Sequence, residues 1–149
     1  MQDIIVVLDN IRSLHNVGAI FRTCDGAGVK KIYLCGMTGV PPRREITKTA
    51  IGAEETIDWK YRKSSVRLVR HLKKQGYKIV ALEKTAKSKN FHETKYGSPL
   101  CLVVGHEING IKEKILQDAD LTVHIPMRGL KESLNVATAF GIAIYEITR

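Results

Sequence analysis

The chain reads as an α/β protein, a mostly parallel sheet with helices on both faces. Three features point there. Short apolar runs recur at Ile4–Leu8, Lys31–Cys35, Lys78–Leu82, Leu100–Val104 and Leu121–Ile125, each the length of a buried strand. Helical patterns separate most of these runs, as parallel strands require. The last stretch is apolar on nearly every side, through Val136, Ala137, Ala139, Phe140, Ile142, Ala143, Ile144, Tyr145 and Ile147. A helix of that kind is a buried one, and in a chain of 149 residues its full burial calls for a second subunit.

Taken in order, Ile4–Leu8 is a strand that ends in a polar loop, Asp9-Asn-Ile-Arg-Ser-Leu-His-Asn16. Asn16 can cap a helix that runs to Ala27, with Gly26 or Gly28 ending it. Lys31–Cys35 is the next strand. Gly36 to Glu45 is rich in turn residues, so Pro41-Pro-Arg-Arg44 is expected as an exposed, mobile basic loop, followed by one or two helical turns over 48–54. Ser64 or Ser65 caps a clearer helix, Val66 to Gln75, stopped by Gly76. Val66, Leu68, Val69 and Leu72 share one side of it, while Lys63, Arg67, Arg70 and Lys74 form a cationic stripe on the other. Strands follow at 78–82 and 100–104, a short helix at 111–119 and a last strand at 121–125. Loop 126–135 holds Pro126 and Gly129, and Ser133 or Asn135 can cap the final helix. Small residues at Ala137, Ala139, Gly141 and Ala143 would let another helix approach that one closely. Loop 126–135 thus lies where α/β proteins hold ligands, at a strand's carboxyl end.

Charge placement says more than its total. Residues 60–89 hold 11 Lys and Arg against one acid, Glu83, while the rest of the chain is close to balanced. All of the net +9 therefore comes from one stretch. Soluble faces usually mix signs, so one-sided charge fits a polyanion such as nucleic acid. No apolar run approaches the ~20 residues of a membrane span. The N-terminus lacks the basic start and small-residue cleavage site of a signal peptide. Cys24, Cys35 and Cys101 are odd in number and form no CxxC pair, so they read as reduced thiols of a cytoplasmic protein. The first strand opens at residue 4 and the last helix closes the chain. One domain, 1–149, without an appended RNA-binding segment is the expectation.

Several familiar chemistries are excluded. Gly105 to Gly110 has the glycine spacing of a phosphate loop, but Ile111-Lys112 stands where Lys-Ser/Thr is needed. His106-Glu107 begins like a zinc-protease motif, yet Gly110 replaces the second histidine. No GxGxxG follows the first strand, which disfavours a nucleotide-binding oxidoreductase. The histidines and cysteines lack metal-ligand spacing, so no metal is expected. What remains is three polar clusters, each after an apolar strand: Asn10…Asn16-x-Gly18-x3-Arg22, Gly105-x-Glu107-x2-Gly110, and Ser133-Leu-Asn135. Each residue has an ordinary structural use: an Arg22–Asp25 ion pair, Glu107 capping the helix at 111, Ser133 and Asn135 as caps. Parallel strands would nevertheless bring all three clusters to one edge of the sheet, which favours a shared site.

These residues carry a resemblance. Asn16-Val-Gly-Ala-Ile-Phe-Arg-Thr23, Val104-Gly-His-Glu-Ile-Asn-Gly-Ile111 and Ile125-Pro-Met-Arg-Gly-x3-Ser-Leu-Asn-Val136 are similar to the three motifs of the SpoU/TrmH RNA ribose 2′-O-methyltransferases, of the SPOUT class. With the first strand and last helix, the likeness covers 4–149. It implies a C-terminal trefoil knot formed by loop 126–135 and the helix after it. S-adenosylmethionine would lie bent in that knot, against Val104, Gly105, Ile125, Met127 and Leu134. A homodimer with the last helix in its interface is implied too. Arg22 is placed beside the target phosphate and 2′-hydroxyl, from its own or the opposite subunit, with Asn16, Glu107, Ser133 and Asn135 as orienting residues. A guanidinium keeps its proton, so Arg22 is read as a clamp that stabilises alkoxide charge rather than as a literal base. Lys63, Arg67, Arg70 and Lys74, with Arg43 and Arg44, are the expected RNA contacts. The substrate is tRNA or rRNA. The rival readings are a base-methylating enzyme of the same fold and a catalytically silent RNA-binding dimer.

Overall fold

The computed structural model describes residues 2–149. Its elements follow the chain as β1 (Ile4–Asp9), α1 (Leu14–Ala27), β2 (Lys31–Cys35), α2 (Arg44–Ala50), α3 (Ala53–Thr56), β3 (Asp58–Arg62), α4 (Ser65–Lys74), β4 (Lys78–Leu82), β5 (Lys89–Asn90), β6 (Leu100–Val104), α5 (Glu113–Asp118), β7 (Leu121–His124) and α6 (Val136–Ile147). One sheet joins the strands in the order β3-β2-β1-β6-β4-β7-β5, and every pairing in it is parallel. The expected class is therefore what the chain adopts.

Strand alternation divides the core in two. Ile4, Val6 and Leu8 of β1, with Leu100, Leu102 and Val104 of β6, face α1, α2 and α6. Ile5 and Val7 of β1, with Cys101 and Val103 of β6, face Leu68, Val69 and Leu72 of α4 and Ile115 of α5. Burial of such side chains on both faces explains why β1 and β6 are continuous apolar runs. All three cysteines are free and buried.

Local chemistry sets the helix ends, and some expectations are corrected here. Ser13, not Asn16, caps α1: its hydroxyl accepts from the Asn16 N–H at 3.2 Å, and Asn16 lies in the first turn. Gly28 closes that helix with φ 76°, a backbone state glycine adopts without strain. Arg43 and Arg44 are not a mobile loop; Arg43 is the N-cap position of α2 and Arg44 its first residue. β3 is a strand the hydropathy did not indicate. Asp58-Trp-Lys-Tyr-Arg62 lies at the sheet edge, mostly exposed, so it has no apolar run to reveal it. Ser64 caps α4 by accepting from the Arg67 N–H, and Asn135 caps α6 by accepting from the Ala137 and Thr138 N–H groups.

The last helix is less enclosed in the single chain than its composition implies. Phe140, Ala143, Ile144 and Ile147 are buried, while Ile142 and Tyr145 are 41% and 54% exposed. The helix that comes close to its small residues is α1 of the same chain. A Cβ added at Gly141 would lie 3.8 Å from Thr23 Cγ2, and one at Gly26 would meet the Tyr145 hydroxyl at 2.7 Å.

Candidate active site

The carboxyl ends of β4, β6 and β7 open into a cleft of about 220 Å³. Its lining includes Val104, Gly105, Ile125, Met127 and Leu134, the five residues expected to hold the cofactor, together with Glu107 and Ser133. Gly105 has to be glycine. A Cβ there would lie 2.7 Å from the backbone of Gly110 and 2.8 Å from Ile111 Cα, because loop 105–111 folds back on itself through a His106–Gly110 bridge.

Glu107 ties the first and second motifs together. Its carboxylate accepts from the Arg12 and Ser13 backbone N–H groups, both at 2.9 Å, and from the Asn16 side-chain amide at 3.3 Å. Partial burial raises the pKa of this carboxyl, but the hydrogen bonds from Arg12, Ser13, its own amide and Asn16 outweigh it and hold the group below the usual glutamate value. It does not cap the helix after residue 111; Lys112 occupies that N-cap position.

The third motif joins the same chain of contacts. Asn135 Nδ2 donates to Asn16 Oδ1 at 3.2 Å while Asn135 Oδ1 caps α6. Glu107, Asn16 and Asn135 are thus linked in series across 119 residues of sequence. Ser133 lies on the cleft lining, in the exposed part of the loop.

Arg22 stands apart in its own chain. It is exposed on α1, does not line the cleft, and among the described residues forms no ion pair with Asp25. Asp25 accepts instead from the Thr56 hydroxyl at 3.4 Å. Six residues beyond Asn16, Arg22 is ~9 Å further along the helix.

Two wall residues were not expected from sequence. Glu83 follows β4 and lines the cleft; its Oε1 accepts from the Ile111 N–H at 2.9 Å and so fastens the end of loop 105–111. His124 ends β7. The Ser88 hydroxyl lies 2.8 Å from both the Thr85 carbonyl and His124 Nδ1, and so ties the end of β7 to the turn at 85–88. No motif marks either residue; the one available signal is their place immediately after, or at the end of, an apolar strand.

The donor set fits S-adenosylmethionine. Leu82, Val104, Ile125, Met127, Leu134 and Val136 supply apolar surface for an adenine and a thioether chain. Glu83, Glu107 and Glu132 line the same cleft against one lysine, Lys84, which suits a ligand bearing a sulfonium and an ammonium beside a carboxylate. Among the described residues, no group of three or more His, Cys, Asp or Glu is placed to hold a metal ion, and no helix is long and apolar enough to cross a membrane.

Of the expected RNA contacts, Lys63, Arg67 and Lys74 are exposed around α4, and Arg43 and Arg44 are exposed at the start of α2. Arg70 differs. Its Nε is 2.9 Å from Asp118 Oδ2 of α5, so much of its charge is answered within the chain.

A parallel α/β sheet with a polar cleft at its carboxyl edge, closed by three motif loops, is the form of the SPOUT-class methyltransferases. The chain belongs to the SpoU rRNA Methylase family, whose profile matches residues 3–145. The tRNA (guanosine(18)-2′-O)-methyltransferase of Aquifex aeolicus is 36% identical to it, over 99% of this chain and 70% of that protein. The Escherichia coli K12 protein of the same name is 33% identical, over 99% of this chain and 63% of its own length. A 23S rRNA (guanosine-2′-O-)-methyltransferase, RlmB of Vibrio vulnificus, is 32% identical, over 98% of this chain and 59% of that protein. The chain thus spans roughly two thirds of the length of these curated relatives. Among solved structures, the A. aeolicus TrmH/SpoU tRNA modifying enzyme superposes with a TM-score of 0.89 at 34% identity, covering 99% of this chain and 75% of that one. An AdoMet-bound rRNA methyltransferase from Sinorhizobium meliloti gives 0.91 at 30% identity, covering 99% and 56%. The family expected from the three motifs is the family found.

Proposed function

We propose that the protein transfers a methyl group from S-adenosylmethionine to a ribose 2′-hydroxyl in structured RNA, tRNA or rRNA, as a homodimer in the cytoplasm. The observation that carries this reading is the Glu107–Asn16–Asn135 series, which gathers all three motif loops at the rim of one cleft. Loop 126–135 and α6 form the knotted wall of that cleft. Val104, Gly105, Ile125, Met127 and Leu134 hold the cofactor. S-adenosylmethionine supplies an already activated methyl group, so the enzyme's task is the poor nucleophile, a protonated ribose hydroxyl.

Arg22 meets that task by binding the adjacent phosphate and stabilising negative charge as it develops on the 2′-oxygen. The proton leaves to a phosphate oxygen or to water. Because Arg22 is exposed and absent from its own chain's cleft, the complete site takes Arg22 from one subunit and the cleft from the other. The exposed apolar residues of α6, Ile142 and Tyr145, support an interface beside α1, where Arg22 lies. Asn16, Glu107, Ser133 and Asn135 orient the loops around the ribose. Buried free thiols and an RNA substrate support the cytoplasmic placement.

The test is methyl transfer to bulk RNA lacking its natural modifications, followed by nucleoside analysis. A 2′-O-methylnucleoside is expected, and 2′-O-methylguanosine is the first to look for, given the names of the relatives. A label found on a base nitrogen would replace the ribose reading. S-adenosylmethionine binding by calorimetry separates both from a silent dimer, which would bind none.

A further inference from the structure

A second cavity, of about 730 Å³, lies on the opposite face of the sheet from α1 and α6. It is lined by Arg62, Lys63, Ser64, Arg67, Leu68, His71 and Lys112, with no carboxylate among them. The fold assembles it from three places: the end of β3, the first turns of α4, and the loop after β6. Neutralisation elsewhere on α4 sharpens it. Arg70 is held by Asp118, and Lys73 by Asp120 and the Asp118 carbonyl. Neither lines the cavity; the cations that do line it on α4's side, Lys63 and Arg67, have no acidic partner among the described residues.

The floor is built as well. Lys112 Nζ lies 3.5 Å from Asp9 Oδ1 and 3.3 Å from Ser65 Oγ, and both Asp9 and Ser65 are at most 1% exposed. One buried carboxylate thus fixes Lys112 in place while its side chain remains 44% exposed. Lys112 also ends the loop whose earlier residues, Gly105 to Ile108 and Gly110, line the cofactor cleft. Cavity and cleft share the carboxyl edge, with the end of β3 three strand spacings, ~14 Å, from the end of β6.

We infer that this groove is a phosphodiester-binding site, which takes the backbone of the substrate RNA as it runs along the sheet edge from the cleft. The inference rests on the proposed RNA substrate and adds Arg62, His71 and Lys112 to the residues that contact it; Arg70 does not line the groove. A cationic groove without aromatic side chains in its lining reads phosphates rather than bases. It accordingly supplies affinity and register, with strong salt dependence.

The experiment compares two charge-matched double variants for binding to an unmodified tRNA transcript, by fluorescence anisotropy across a salt series. Arg62→Glu/Arg67→Glu reverses the groove. Lys30→Glu/Lys95→Glu reverses two exposed lysines at the amino edge of the sheet. The groove variant is expected to lose tenfold or more in RNA affinity, and to flatten the slope of log K against log salt by about 1.4 to 1.8. S-adenosylmethionine affinity, by calorimetry, should stay within twofold in both, which also reports that the fold is intact. Equal losses in the two variants, or no loss in either, would overturn the groove. Outcomes also separate the two claims. Wild-type methylation of RNA with undiminished binding by the groove variant would retain the enzyme and discard the groove. Groove-dependent RNA binding without any methyl transfer would do the reverse.

Discussion

The two faces of the sheet are finished in different ways. On one, α6 turns Phe140, Ala143, Ile144 and Ile147 inward and still leaves Ile142 and Tyr145 exposed next to α1. On the other, α4 buries Leu68, Val69 and Leu72 and carries Arg67, His71 and Lys74 outward. An outward apolar stripe is a surface that gains by being covered, and an outward cationic one is stable in water until a polyanion displaces its counterions. The contrast supports our proposal that the α1/α6 face serves self-association and the α4 face takes RNA backbone. The cofactor cleft lies at the edge between them.

Loss of Arg22 is the largest effect that this division predicts. Arg22→Ala should lower methyl-transfer turnover by at least 10²–10³-fold, the usual scale for deleting a group that stabilises developing negative charge. S-adenosylmethionine affinity by calorimetry should change no more than a few-fold, because Arg22 does not line the cleft. A folded variant that no longer bound cofactor would put Arg22 in the wrong role. Next in size is the α6 face itself. Ile142→Glu with Tyr145→Glu should give monomers in sedimentation and remove activity, although each monomer keeps its cleft. Mixing that double variant with Arg22→Ala would then restore nothing. A fully active monomer would show that Arg22 serves its own chain and would erase the distinction between the faces.

A smaller and more local effect concerns Asn135, which both caps α6 and reaches Asn16. Asn135→Ala should cost about 1 kcal/mol of stability in urea unfolding, the typical loss of an N-cap. Asn135→Ser keeps a capping oxygen but is too short to hold Asn16, so it should retain most of the stability and lose activity. Equal activity in Asn135→Ser and the wild type would reduce Asn135 to a cap.

The faces were legible in sequence to different degrees. Strands 78–82 and 100–104 have the bounds that their apolar runs indicated, because central parallel strands are buried on both sides. β3 was hidden for the opposite reason. It is an edge strand whose pairing with β2 includes a Lys31–Asp58 ion pair and a Tyr61 hydroxyl donated to the Gly36 carbonyl, neither of which leaves a hydropathy pattern. The three motif clusters were legible singly, and their meeting followed from parallel strands. The choice of Ser13 over Asn16 as the α1 cap did not follow. Both side chains can cap, and in the fold Asn16 is engaged by Glu107 and Asn135, partners 91 and 119 residues away. The ion pair of Arg70 was hidden for a related reason: its partner, Asp118, is 48 residues distant and comes near only when α4 and α5 pack together. Glu83 and His124 belong to no motif, and only the cleft around them reveals their use.

Acid should act on the cleft edge through Glu107, with the smallest of these effects. Its folded-state pKa lies below the ordinary glutamate value, so the folded chain favours the ionised form more than the unfolded chain does. The resulting stability is present above the unfolded value, ~4.3, and fades as pH falls through the lower folded one. Glu107 is exposed, and solvent screening holds the contribution to about a few tenths of a kcal/mol. Glutamine keeps one acceptor oxygen where the carboxylate offers two, so Glu107→Gln should lower the urea midpoint at pH 7. As pH falls through the lowered folded value and the wild-type carboxyl takes up its proton, the two midpoints should converge. A gap that stayed constant down to the acid limit of folding would mean that the Arg12, Ser13 and Asn16 contacts hold the first motif through shape rather than through charge. In that case the α1 side of the cleft would tolerate acid as well as the rest of the sheet.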